Sequence, residues 1–155
     1  MKDLDWSNLS FGYRQTDYNV RCYYRDGKWG EIEVCSDEYL KLHMAATCLH
    51  YGQEAFEGLK AYRCPDGKVR VFRMDENAAR LQSTCRGILM PEVPTEMFEE
   101  MVKKVVRLNQ EWIPTYESGA TLYIRPLLIG TSAQVGVHPS KEYCFLIFVT
   151  PVGPY

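Results

Sequence analysis

Ala120-Thr-Leu-Tyr-Ile-Arg-Pro-Leu-Leu-Ile-Gly130, followed by Tyr143-Cys-Phe-Leu-Ile-Phe-Val149, decides how this chain folds. Both stretches are rich in aromatic and branched residues and have strand length. The second is apolar on both faces, which places it centrally in a sheet. The first carries one charge, Arg125, in an otherwise buried strand pattern. A guanidinium stays ionised at any ordinary pH, so it must be solvated or paired. Dry and unpaired, it would cost several kcal/mol, roughly the stability margin of a domain. Tyr123 lies two residues earlier and therefore shares its face. A phenol beside a guanidinium over an apolar floor suits a carboxylate or phosphate. An internal Asp or Glu partner, or snorkelling from a strand end, is the alternative that this stretch leaves open.

Outward from these strands, Val20–Tyr24 and Trp29–Val34 flank Asp26-Gly27, a hairpin signal. Leu59–Arg63 and Lys68–Phe72 flank Pro65-Asp-Gly67 and form a second hairpin. The interval 40–56 has no clean period, and a short helix is expected around 53–58. Asp75 predicts the N-cap of a helix running to about Ile88, with Ala78, Leu81, Cys85 and Ile88 inside. Thr95 predicts the cap of the next, where Phe98, Met101, Val102, Val105 and Val106 fall at helical spacing. Acidic residues open that helix and basic ones close it, a solvated face matched to the helix dipole. The pattern is α+β: a largely antiparallel sheet with helices packed on one face, a two-layer sandwich.

The 155 residues have the length of one domain and a formal charge of −2. That balance argues against a nucleic-acid partner, which requires a clustered basic excess. The longest apolar run, Cys144–Val149, is too short to cross a bilayer. Met1-Lys-Asp-Leu-Asp-Trp6 lacks the pattern of a signal peptide, so cytoplasmic localisation is expected. Six cysteines include no Cys-x-x-Cys pair and read as mostly buried thiols. The three histidines match no metal-ligand spacing, so no metal is expected. Residues 1–150 read as one small domain, and Pro151-Val-Gly-Pro-Tyr155 as the start of a linker to a further one.

No glycine-rich phosphate loop or nucleophile elbow is present. Five polar groups stand in apolar settings instead: Tyr51, Glu57, Arg80, Tyr123 and Arg125. From a helix beside a cleft, Arg80 would hold a phosphate bidentately. By position alone it is more often a surface arginine, and Tyr51 more often a packed core tyrosine.

Leu49-His-Tyr-Gly-Gln-Glu-Ala-Phe-Glu-Gly-Leu-Lys-Ala-Tyr62, Val71-Phe-Arg73 with Asn77 and Arg80, and Leu122-Tyr-Ile-Arg-Pro-Leu-Leu-Ile-Gly130 together resemble the branched-chain amino acid aminotransferases. These are fold-type IV pyridoxal-phosphate enzymes. Phe11-Gly12, Thr16-Asp17 and Val135-Gly-Val137 extend the resemblance over nearly the whole chain. It implies that Arg80 grips the cofactor phosphate and that Tyr51 borders the substrate pocket. Phe11, Phe56 and Tyr123 would wall the pocket for a branched side chain. Arg125, with Tyr123, would receive the distal carboxylate of glutamate or 2-oxoglutarate. Val135 and Val137 would reach into the site of a second subunit, making a homodimer. In that family the Schiff-base lysine comes from a C-terminal domain. The chain by itself is therefore expected to hold no catalytic residue and to be inactive. The implied reaction moves the amino group of leucine, isoleucine or valine to 2-oxoglutarate, so the partners are small amino and 2-oxo acids. D-amino-acid aminotransferases and aminodeoxychorismate lyases share the fold, but Tyr123-Ile-Arg-Pro126 and Leu49-His-Tyr51 favour the branched-chain enzymes. A non-catalytic binding module is the rival of a different kind.

Overall fold

The computed structural model describes residues 1–154. Strand β1 (Asn19–Arg25) turns back at Asp26-Gly27 into β2 (Lys28–Trp29). Both turn residues have positive φ, 53° and 78°, which Asp-Gly tolerates in a tight hairpin. β3 (Glu33–Cys35) also pairs with β1. β4 (Glu54–Phe56), β5 (Leu59–Arg63) and β6 (Val69–Val71) form the opposite flank, and β7 (Thr121–Gly130) and β8 (Tyr143–Val152) form the centre. The order is β2-β1-β8-β7-β5-β6, with β3 on β1 and β4 on β7. Every pairing is antiparallel.

One face of the sheet is covered by α2 (Met74–Gly87) and α3 (Thr95–Leu108). The five apolar residues expected inside α3 are all buried. With Ala78, Leu81 and Cys85 of α2 they pack on Val20, Leu122, Ile124, Phe145 and Ile147. Phe98 stacks on Phe145 at a centroid distance of 6.1 Å. Burying one such side chain contributes ~1.5–3 kcal/mol, so this layer dominates the core. The other face is covered more sparsely, with Cys48 of a short helix among the residues packed on it. There Ile129, Cys144 and Leu146 meet Leu40, Leu42 and Phe148. The architecture is the expected two-layer α+β sandwich.

Local details depart from the sequence reading. The short helix expected at 53–58 is α1 (Thr47–Tyr51), ended by Gly52 in the left-handed region. Residues 54–56 instead form β4, because they find the edge of β7 at Leu127–Ile129. Arg73, not Asp75, occupies the N-cap position of α2 and makes no side-chain cap bond. Asp75 and Glu76 lie in the first turn, where the helix dipole favours acids. Pro94 precedes α3 in the same way, and Thr95 is its first residue. Ile88 lies past the end of α2 and is exposed. Pro151 and Val152, read as linker, complete β8 opposite Leu122 and Thr121. Tyr155 of that segment lies outside the described residues.

The N-terminal segment is sewn onto β8 and α3. The Thr150 hydroxyl accepts the N–H of Arg14 at 2.8 Å and donates to its carbonyl at 2.9 Å. Fully buried Asn109 accepts the N–H groups of Asp17 and Tyr18, and donates to the carbonyls of Tyr18 and Val105. These bonds satisfy a buried amide that would otherwise destabilise the fold. They also fix the path that carries Phe11 over the open face. No helix among the described residues is long and apolar enough to cross a membrane.

All six cysteines are free thiols, with Cys22, Cys85 and Cys144 buried. Burial pushes the Cys85 and Cys144 thiols up to about 11, because a thiolate there would be desolvated. A pKa raised in the folded state gives stability that is full below the unfolded value near 9 and lost toward 11. In the native protein at about pH 8, these two thiols are expected to resist a thiol reagent that labels them in urea. Urea midpoints should fall between about pH 9 and 11. Fast native labelling of Cys144 would contradict its burial.

Candidate functional site

β7 alternates between two environments. Leu122, Ile124 and Leu128 face the helices, while Thr121, Tyr123, Arg125 and Leu127 occupy the open face. Arg125 donates from Nε and Nη2 to the Tyr123 hydroxyl at 3.3 and 3.0 Å. Its guanidinium also lies 4.3 Å from the centre of the Phe56 ring. No carboxylate pairs with Arg125 among the described residues, so the internal ion pair is not its role. Stacking on one ring stabilises a cation by ~0.5–2 kcal/mol. Each charged hydrogen bond to an arriving carboxylate would add ~1.5–3 kcal/mol, so the half-buried cation remains receptive to an anion.

Phe11 stands edge-on to Tyr123 with ring centres 5.0 Å apart. Together with Phe148 and Thr150 these residues line a recess of about 160 Å³ at Arg125. A larger depression of about 460 Å³ lies beyond Tyr13 and Phe148, but no candidate site residue lines it.

Arg80 projects from α2 one turn after Asn77 and is clamped by Glu57. Nε and Nη2 donate to the two carboxylate oxygens at 2.8 and 2.6 Å. The side chains differ sharply in exposure, 69% for Arg80 and 3% for Glu57. Asn77 Nδ2 donates to Glu57 Oε2 at 3.0 Å. The paired carboxylate pushes the Arg80 pKa further up. Three of the five guanidinium N–H donors lie outside this clamp, on a side chain that is mostly exposed.

Gly58 joins this pair to the first cluster. A Cβ at that position would lie 2.6 Å from the Tyr123 hydroxyl, so only glycine lets the phenol come this close. Gly58, Lys60, Asn77 and Tyr123 line a shared depression of about 400 Å³.

Tyr51, Val135 and Val137 form a separate corner. Ala46 bridges Ala133, Gln134 N–H donates to the Ala45 carbonyl, and the Tyr51 hydroxyl donates to the Val135 carbonyl. Val135 and Val137 are 87% and 82% exposed, so no side chain among the described residues covers them. Thus Phe11, Phe56, Tyr123 and Arg125 meet directly, Arg80 joins through Glu57-Gly58, and the Tyr51 corner touches neither. The sequence marks Glu57 only as a polar group in an apolar setting. Its partner lies on another element, beyond the reach of local spacing.

The antiparallel sheet with α2 and α3 on one face is the small-domain fold of the fold-type IV aminotransferases. The Escherichia coli branched-chain amino acid aminotransferase superposes with a TM-score of 0.70 at 27% identity, covering 90% of this chain and 41% of that one. A second branched-chain amino acid aminotransferase, solved with pyridoxamine 5'-phosphate, gives a TM-score of 0.69 at 24% identity, covering 91% and 42%. The Haemophilus influenzae branched-chain-amino-acid aminotransferase is 52% identical over 155 residues, all of this chain and 45% of that protein. Its Helicobacter pylori counterpart is 46% identical over the same span and is covered to 46%. No family model matches. Along its whole length the chain is similar to branched-chain amino acid aminotransferases, and it spans about half the length of the curated relatives it matches.

Gly58→Ala is expected to swing the Tyr123 ring away from Arg125 without unfolding the protein. A crystal structure of the variant, or the NMR shift of the Arg125 Nε–H, reports this directly. An unmoved ring would contradict the close approach.

Proposed function

We propose that the whole protein moves the amino group of leucine, isoleucine or valine to 2-oxoglutarate with the aid of pyridoxal phosphate. This chain would contribute one wall of the substrate pocket and one phosphate contact. The observation that carries the reading is Arg125, a cation with no carboxylate partner among the described residues, stacked on Phe56 and bonded to Tyr123. A pocket serving both half-reactions must accept an aliphatic side chain and a carboxylate-tipped one in turn. Phe11, Phe56 and Tyr123 supply apolar contact for the first. Arg125 and the Tyr123 hydroxyl supply charge and a hydrogen bond for the second. One methylene changes binding by only ~1–3 kcal/mol, so all three branched amino acids should be taken.

The residues present also fit the cofactor's phosphate. Arg80 is held in one geometry by a buried carboxylate, with free donors on its exposed side. When bound, pyridoxal phosphate carries the amino group between the two half-reactions of a ping-pong cycle. Arg80 would hold its phosphate end and orient it. The lysine that anchors the cofactor would come from the rest of the protein, as would the acid that faces its ring. A second copy completes the reading: exposed Tyr51, Val135 and Val137 form an apolar corner suited to the neighbouring subunit's pocket.

Arg125→Ala in the full gene product is the test. It should lower kcat/KM for glutamate by about 10–100-fold, the loss of one or two charged hydrogen bonds, and for leucine by less than about fivefold. Half-reactions followed separately by absorbance measure both. Equal losses would sink the assignment of Arg125 to the distal carboxylate.

A further inference from the structure

We infer that Glu57 is a positioning residue, which fixes the Arg80 guanidinium for an incoming phosphate ester. The inference rests on the phosphate reading of Arg80 and adds the group that makes it work. Glu57 is one of the few buried polar residues, and its carboxylate takes three hydrogen bonds from two residues, Arg80 and Asn77. Its carboxylate takes Arg80 Nε at 2.8 Å and Nη2 at 2.6 Å. Asn77 Nδ2 donates to the same carboxylate at 3.0 Å and to the Gly58 carbonyl at 3.4 Å. The Glu57 backbone N–H donates to the Pro126 carbonyl at 3.0 Å, tying the segment to β7.

Two opposite effects act on an arriving phosphate. The carboxylate is negative and repels it. The same carboxylate fixes a long, solvent-facing side chain that would otherwise lose its rotamer freedom on binding. Burial favours the second effect. A carboxylate closed off from water and satisfied on both oxygens is committed to its partners. The free donors of Arg80 are presented on the far side of the fork, in one orientation. Fork-to-fork pairing orders a guanidinium more tightly than a single bond does. Gln at this position keeps the shape but presents an N–H₂ to the arginine donors, so the fork cannot close.

The experiment compares pyridoxal phosphate with pyridoxal, which lacks the phosphate, as ligands of the full gene product stripped of cofactor. Equilibrium affinities are measured for the natural protein, Glu57→Gln, Arg80→Ala and the double variant, with circular dichroism as a check on folding. Glu57→Gln should weaken pyridoxal phosphate roughly tenfold, a fraction of the ordering cost of one arginine, and leave pyridoxal within about twofold. In the Arg80→Ala background the same change should add nothing. Equal weakening of both ligands would show a merely structural role and overturn the inference. So would unchanged or tighter pyridoxal phosphate binding, which would mean that charge repulsion outweighs positioning. If Arg80→Ala leaves the ratio of the two affinities unchanged, the phosphate reading of Arg80 fails, and the inference falls with it. If Arg80→Ala shifts the ratio and Glu57→Gln does not, only the inference fails.

Discussion

The register of β7 against β8, from Thr121 opposite Val152 to Gly130 opposite Tyr143, controls everything that the open face presents. Side chains alternate with a period of two, so a slip by one residue would exchange the faces of the strand. Arg125 would then point into the layer built by α2 and α3, among residues such as Phe98, Met101 and Leu81. The one buried acid near α2 among the described residues, Glu57, is already committed to Arg80 and Asn77. An unpaired guanidinium there would cost several kcal/mol, much of a domain's margin, while Leu122 and Ile124 would lose their burial. The charge on the open face therefore also locks the register that places it there.

Periodicity made the large elements legible. Five apolar residues at helical spacing gave α3, and an unbroken apolar run gave β8 as the central strand. Tyr123 and Arg125 fell on one face because a two-residue separation requires it. What stayed hidden depends on partners distant in sequence. Glu54–Phe56 carries no pattern of its own and is a strand because β7 offers it an edge. The start of α2 was displaced because an acid stabilises a first turn as well as a cap, and local sequence does not separate the two roles. The Arg80–Glu57 clamp joins two elements separated by a hairpin, so each residue taken alone reads as an isolated charge. The role expected of Arg80 came from resemblance, and its partner came from the fold.

Pro126 explains why the clamp forms where it does. A proline in an interior strand lacks a donor and interrupts the ladder on one side. Its carbonyl is taken by the Glu57 N–H, so its N–H-less edge faces the same flank. On that flank the neighbour is broken: β4 covers Leu127–Ile129, β5 covers Leu122–Ile124, and Glu57-Gly58 spans the gap. Backbone that would continue a ladder is released to turn, and the turn sends Glu57 toward α2 and lays Gly58 against the Tyr123 hydroxyl. Phe56, on the other side of Glu57, lies against the Arg125 guanidinium. One interruption in one strand thus sets the spacing between a clamped arginine and a receptive one. A rigid spacing of this kind is what a site needs to hold two ends of a bound assembly at once, because each contact then arrives with its orientation already fixed.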